Sequence, residues 1–370
     1  MASAFNLSVY PWVYEAHCDR SATDGGVAWD EHFIEKPHKS PEEEASMDAG
    51  KRARLVASRN SFPELPLVNF TSQYGLGCFE GLKAFPQQDG SLKLFRPDEN
   101  GKRMRRSMEG LMMPGFPEET FVAAIVEMIH RNRSLGFYPK YDGAWEADNF
   151  RNAHSAYIRP FSWAEGGIGL NLSVSPSVVI VATEVGSYFD PDASCKAITT
   201  DKVRATPGGT GWIKCDANYV IPILEKKRVQ QHGYMEAIFL DSQGHKYVEE
   251  GSSCNIFFYL KDGTLVTPEL GDRVLPGINR KSVLQLAKDF GVPTEERPIT
   301  IDEAMNNSVE VFVTGTAAGV SYLESITHNG QTMEYNGGAM GELTTRLLHE
   351  LKGIQYGVVE DRHSWMVPVP

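Results

Sequence analysis

With 370 residues, of which 41% are hydrophobic and 23% charged, the chain has the composition of an ordinary globular protein and the length for about two domains. A formal net charge of -12 removes any general electrostatic attraction to nucleic acid or anionic lipid, while leaving room for positive groups gathered around one anionic ligand. No stretch approaches the ~18 consecutive apolar residues of a spanning helix, so neither a membrane nor a nucleic acid is expected as a partner.

The first twenty residues, MASAFNLSVYPWVYEAHCDR, lack the basic segment and apolar run of a secretory signal. The five cysteines (Cys18, Cys78, Cys195, Cys215 and Cys254) are scattered and form no CxxC pair, which predicts a cytoplasmic, reduced protein without structural zinc or another metal. The first sixty residues read as irregular. Within them Pro37 to Leu55, PHKSPEEEASMDAGKRARL, puts an acidic run before a basic one and reads as solvated surface, with the basic half available to a subunit contact.

From Leu67 the pattern tightens. LVNFTSQYGLGCFEGLKAF alternates as strands do, SLKLFRP predicts a further strand, and DENGKRMRRSMEGL a helix after an Asp/Asn start. Glu118 to Asn132 places Phe121, Ile125, Met128 and Ile129 at helical spacing, AYIRPFSW reads as a strand, and VSPSVVIVATEV as a strand buried on both faces. Thr183 to Ala193, TEVGSYFDPDA, is the candidate linker. It predicts a smaller N-terminal α/β domain over residues 1–183, a linker over 184–194, and a larger C-terminal α/β domain over 195–370.

The second half opens with CKAITTDKVRA as a strand, then the loop GGTGWIKCDANY, then a helix over about Asn218 to Gln231 ending at Gly233. EAIFLDSQGHKYVEEG and NIFFYLKDGTLVTP read as two hairpins, NRKSVLQLAKDFG as a helix, EVFVTGTAAGVSYLESI as one strand and GELTTRLLHELKGIQYG as a final amphipathic helix.

Lys214 stands behind a glycine-rich turn, where backbone can approach a ligand closely and an amine loses water. Desolvation lowers the amine's pKa and makes it nucleophilic, able to form a Schiff base with an aldehyde cofactor such as pyridoxal 5'-phosphate. That cofactor asks for a phosphate cradle, an acid facing its ring nitrogen and a donor near its phenolate. VLPGINRKSVLQL offers Gly277-Ile278-Asn279 at a helix N-terminus for the phosphate, with Arg103 and Thr316 as further donors. YVEEGSSCNIF offers Glu249 or Glu250 for the nitrogen, and Tyr219 lies five residues past the lysine.

YGLGCFEGLKAF, LFRP with KRMRRS, AYIRP, GGTG with Lys214 and Asn218-Tyr219, EEGSSCN, LPGINR and GTA together resemble the branched-chain amino acid aminotransferases, in order and spacing, from about Leu67 to Gly357. The resemblance implies a two-domain α/β (α+β) protein of fold-type IV, D-amino acid aminotransferase-like, that moves amino groups between branched-chain L-amino acids and 2-oxoglutarate. It implies Lys214 as the catalytic, cofactor-bearing lysine, and Glu250 rather than Glu249 against the ring nitrogen. Tyr219 would face the phenolate, with Arg103, Ile278, Asn279 and Thr316 at the phosphate. For the substrate it implies the amides of Thr316-Ala317 with Tyr157 at the α-carboxylate, and Arg159 at a glutamate side chain. Phe79 and Tyr188, with Tyr74 and Leu170 from a second subunit, would form the apolar wall, which implies a homodimer. A D-amino acid aminotransferase, an aminodeoxychorismate lyase and a non-catalytic binding protein on the same fold are the alternatives.

Four features depart from the family pattern. Asp216-Ala217 replaces a Gly-Gly pair, Asn279 replaces a threonine, Ala317-Ala318-Gly319 stands where some animal members carry CxxC, and the acidic-then-basic segment before Leu55 is longer.

Overall fold

The N-terminal segment is ordered where periodicity reads as irregular. Strand β1 (Trp12–Asp19) pairs antiparallel with β2 (Ala28–Glu35), Trp12 opposite Glu35. β2 is a largely exposed sheet edge, and the charged residues that protect such an edge from further pairing also erase its alternation. The acidic and basic runs form two helices, α1 (Pro41–Ser46), with a capping box from Ser40 and Glu43, and α2 (Ala49–Arg59), capped by Asp48. Glu44 is not solvated surface as expected: it meets Arg59 as a buried ion pair between these helices. The computed structural model describes residues 7–19, 27–61, 65–186, 195–317 and 319–370.

The expected strand from Leu67 begins instead with a helix, α3 (Phe70–Tyr74), because the Asn69 side chain accepts from Ser72 N–H at 2.8 Å and Gly75 ends the turn in the left-handed region. β3 (Leu82–Pro86), β4 (Leu92–Phe95), α4 (Pro97–Gly110), α5 (Glu118–Ser134), the short α6 (Ala144–Ala147), β5 (Ser155–Trp163) and β6 (Ser177–Val185) follow. One sheet runs β4-β3-β5-β6-β1-β2, and the chain's last strand, Met366–Val369, returns to pair with β4. Phe121, Ile125 and Met128 of α5 and Met104 and Met108 of α4 pack with Leu82, Leu94 and Ile180 of this sheet in one core. The predicted linker falls mostly on 187–194, outside the described residues.

The second half builds two five-stranded sheets. β7 (Lys196–Thr199), α7 (Val220–Gln230), β8 (Glu236–Leu240), β9 (Val248–Gly251), β10 (Asn255–Leu260) and β11 (Leu265–Thr267) come first, then α8 (Ile278–Asp289), β12 (Thr294–Glu296) and α9 (Ile301–Asn307). The segment expected as one strand from Glu310 is divided among β13 (Ser308–Gly315), β14 (Gly319–Tyr322) and β15 (Ser325–His328), because the chain reverses between Gly315 and Gly319, which pair across the hairpin. β16 (Gln331–Glu334) and α10 (Glu342–Tyr356) complete the half. The sheet orders are β12-β11-β10-β13-β14 and β16-β15-β7-β8-β9. Phe79 N–H donates to the Lys214 carbonyl at 3.1 Å, and Cys78 and Cys215 face each other in an isolated antiparallel backbone pairing, which sets the lysine loop against the approach to β3.

Candidate active site

The loop before Lys214 is closed on itself by Asn218, whose side-chain amide donates to the carbonyls of Thr210 at 2.7 Å and Ile213 at 3.0 Å. The Lys214 amide donates to Ser107 Oγ of α4 at 3.0 Å, so both ends of the residue are fixed. A short 3-10 turn, Asp216–Tyr219, then brings Tyr219 back to the lysine, with Nζ 2.6 Å from the phenol oxygen. Nζ also lies 4.5 Å from the centre of the Phe79 ring. Burial, followed by the nearby Arg103 charge, brings the Lys214 amine down to about 8, while burial pushes the Tyr219 phenol up to about 12. The lysine is therefore partly neutral near physiological pH, and the tyrosine stays protonated.

The Lys214 amine opens on a cavity lined also by Arg103, Arg204, Tyr219, Glu250, Ile278, Asn279 and Thr316. Glu250 projects into it from β9, while its neighbour Glu249 lines a separate surface cleft and pairs with Arg273 at 3.1 Å, because successive side chains of a strand face opposite ways. Arg204 sits 2.5 Å from Glu250 Oε1, and Asn255 donates to Oε2 at 3.2 Å. Burial raises the Glu250 carboxyl and Arg204 opposes that rise.

At the other end of the cavity α8 begins at Gly277 without a side-chain cap, so its first amides are available to an anion. Asn279 donates its side-chain amide to the Gly315 carbonyl at 2.9 Å and ties this helix start to the end of β13. Arg103 is held by Glu80 through Nε to Oε1 at 2.7 Å and Nη2 to Oε2 at 2.9 Å, and donates to the Pro276 carbonyl at 3.0 Å. Its other N–H groups remain for the cavity. The Thr316 hydroxyl donates to the Gly81 carbonyl at 3.0 Å, which commits its hydrogen to the backbone and leaves its oxygen to accept.

On the β5 side, Tyr157 and Arg159 project together, Nη2 donating to the Tyr157 hydroxyl at 2.9 Å and the guanidinium lying 4.7 Å from the Phe79 ring centre. No carboxylate among the described residues forms an ion pair with Arg159, and its buried Nε has no hydrogen-bond partner. Gly81 makes this approach possible, since any Cβ there would collide with the Tyr157 hydroxyl. Ala317 is half-buried beside Thr316 in the β13–β14 turn. Tyr74 and Leu170 are 44% and 96% exposed and line none of this cavity, although the Tyr74 hydroxyl accepts from the Gly169 amide at 3.0 Å. Tyr188 lies outside the described residues.

Residues 77–326 match the family model for amino-transferase class IV, a span running from the loop before Phe79 past Thr316. The chain belongs to the class IV aminotransferases. This aminotransferase is 38% identical to branched-chain-amino-acid aminotransferase 3, chloroplastic, of Arabidopsis thaliana, over 80% of this chain and 69% of that protein. It is 37% identical to a probable branched-chain-amino-acid aminotransferase of Staphylococcus epidermidis, over 80% of this chain and 82% of that one. Among solved structures it resembles the branched-chain amino acid aminotransferase of Escherichia coli at a TM-score of 0.70, with 27% identity over 83% of this chain and 95% of that one. A T.th. branched-chain amino acid aminotransferase solved with pyridoxamine 5'-phosphate gives a TM-score of 0.71, with 28% identity over 83% of this chain and 94% of that one.

Two residues that shape this aminotransferase's cavity, one on its wall and one behind it, escaped the sequence reading. Glu80 is fully buried beneath Arg103, inside the FEGLKAF motif, where a charged residue in an apolar run was the available signal. Arg204 carried none: it is a lone arginine in a loop, and the Glu250 contact is made across the sheet.

Proposed function

We propose that the protein transfers amino groups between branched-chain L-amino acids and 2-oxoglutarate, using pyridoxal 5'-phosphate held in the Lys214 cavity. The observation that carries this reading is the alignment in one cavity of a desolvated lysine, a buried carboxylate and an uncapped helix start, with an arginine lacking an ionic partner alongside.

The residues fit the cofactor at each end. Lys214 would hold its aldehyde carbon, Tyr219 its phenolate and Glu250 its ring nitrogen, and Arg103 with the Ile278 and Asn279 amides its phosphate. When bound, the cofactor supplies an electron-withdrawing ring that makes the substrate Cα proton acidic. Arg204 favours an ionised Glu250 against the cost of burial, which suits a partner that carries a proton on nitrogen. Lys214 would act as the base that removes the substrate Cα proton and later returns it, an assignment matched to an amine brought down to about 8. Tyr219, 2.6 Å away, fixes the direction of Nζ. The Thr316 and Ala317 amides and the Tyr157 hydroxyl would receive the α-carboxylate, and Phe79 would exclude water beside an apolar side chain. Arg159 would receive the second carboxylate of the acidic partner, so that one pocket serves both halves of the exchange.

Exposed Tyr74 and Leu170 lie among further exposed apolar residues, Leu67, Ile168 and Leu172, and this patch supports a homodimer in which they complete a partner's pocket. The reading includes a division at residues 184–194 into a smaller and a larger α/β domain. None of the five cysteines forms a disulfide, which supports a reducing, cytoplasmic setting, and no helix among the described residues is long and apolar enough to cross a membrane.

The test is the visible spectrum of the purified protein. The expected outcome is a band of lysine-bound cofactor that disappears in Lys214→Ala and is converted by L-leucine, L-isoleucine, L-valine and L-glutamate. A band converted by D-amino acids alone would assign the alternative transaminase instead, and no band after reconstitution would overturn the enzyme class.

A further inference from the structure

We propose that a second cleft, between α4 and α8, binds a polyphosphate anion, either free or carried on a nucleotide. This cleft shares Arg103, Gly277, Ile278 and Arg280 with the Lys214 cavity, but none of Lys214, Tyr219 and Glu250 lines it.

Helical spacing builds both of its walls. On α4, Glu99, Lys102, Arg103 and Arg106 stand three or four residues apart and share one stripe, as do Lys281, Leu284, Gln285 and Lys288 on α8. Together with Leu270 and Pro276 they enclose a cleft of about 510 Å³, a volume ordinary for a small-molecule site.

The charge of this cleft opposes that of the whole chain. Its lining carries the cations Lys102, Arg103, Arg106, Arg280, Lys281 and Lys288 against the carboxylates Glu99 and Glu296, although the chain has a formal net charge of -12. Four of the cations have ionic partners. Lys281 lies 2.9 Å from Glu99, Lys102 3.1 Å from Asp98 and Arg280 2.8 Å from Glu296, and Arg103 is held by Glu80. Arg106 and Lys288 are exposed and have neither an ion pair nor a hydrogen bond among the described residues, Arg106 lying only beside the Trp212 ring, 5.9 Å from its centre. Arg280 is 3% exposed, and its buried Nε has no hydrogen-bond partner. Like charges along one helical stripe repel each other, and a cleft with surplus charge of one sign concentrates its field, so an anion between the stripes removes a repulsion that the empty cleft retains.

Length selects the kind of anion. Lys281 and Lys288 are seven residues apart on α8 and so about 10 Å apart along its axis, at 1.5 Å per residue. One phosphate group cannot meet both ends of such a stripe, whereas a chain of phosphates can, with arginine and lysine N–H groups donating to its oxygens.

The experiment is calorimetric titration of the protein saturated with pyridoxal 5'-phosphate, using inorganic tripolyphosphate and ATP as separate probes at physiological salt. One site per chain is expected. Tighter binding of ATP assigns the nucleotide, and equal binding assigns the polyphosphate chain alone. The double variant Arg106→Gln/Lys288→Gln should weaken binding roughly 10- to 100-fold, because two charge-assisted contacts are lost. Lys51→Gln/Arg52→Gln on α2 removes the same charge away from the cleft and should change the affinity less than about twofold. Lys288→Gln alone, at an exposed position, gives the same reading should the double variant not fold. Neither Arg106 nor Lys288 lines the Lys214 cavity, so their effect reports the second cleft whatever the inner cavity holds. Dissociation constants above about 1 mM for both probes overturn the proposal, as does an equal loss of affinity in the cleft and α2 variants.

Discussion

Glu80→Gln is the perturbation whose size follows most directly from the structure. Glu80 has no exposed surface, and Arg103, at 7% side-chain exposure, spans both its oxygens while Asn100 donates to Oε2 at 2.7 Å. Burial works against the Glu80 charge, but the Arg103 charge and hydrogen bonds, with Asn100, prevail and hold the carboxyl below its usual range. Removing one partner of a buried pair leaves the other charge uncompensated, at a cost of about 3–5 kcal/mol. Glutamine keeps the volume and an acceptor for Asn100, so the lower end, ~3 kcal/mol, is expected for the apoprotein. Equilibrium urea unfolding at neutral pH measures it. Inorganic phosphate provides a second arm, because an anion at the cradle supplies the missing counter-charge and should stabilise the variant more than the wild type. The sign with pH also follows. A depressed folded-state value means the contribution is present above the unfolded carboxyl value of about 4.3 and is lost as pH falls through the lower folded one, so Glu80→Gln should lack that part of the acid sensitivity. Unfolding of the variant at the wild-type urea concentration, or equal stabilisation of both by phosphate, would refute the reasoning.

Lys214→Met should stabilise the apoprotein at pH 7 by about 3 kcal/mol at most, since the folded lysine titrates at about 8 and an unfolded one at about 10.4. Between those values the unfolded chain binds more protons and wild-type stability rises with pH, so the gap should narrow towards pH 10; a less stable variant at pH 7 would contradict a burial-driven shift. Gly81→Ala puts a methyl group into the Tyr157 hydroxyl and should cost about 1–3 kcal/mol while raising KM for both amino donors. Thermal unfolding and steady-state kinetics on one preparation would check it, and wild-type KM values would count against Tyr157 at the α-carboxylate.

Much of the site was legible because its parts are local. A glycine turn, a lysine and a tyrosine five residues on form one loop, closed by Asn218 within the same twelve residues. The α8 start was legible for the same reason, since an uncapped helix end announces itself in the order of residues around Gly277. Long apolar periodicities likewise anticipated α5, β6 and α10. Reading failed where short-range chemistry overrode a pattern, as when the Asn69 cap turned an alternating stretch into α3, or where an edge strand such as β2 carries charge in place of alternation.

Residue identity and spacing by themselves determined the lysine, the tyrosine that returns to it and the uncapped helix start, because these depend on backbone geometry within a few residues. Tertiary structure alone decided which carboxylate of Glu249 and Glu250 enters the cavity, that Arg204 stands against it, and that Glu80 holds Arg103. Each of those is a meeting of charges from distant parts of the chain. Coulomb energy depends on separation in space and on exclusion of water, and neither quantity is written in the order of the residues.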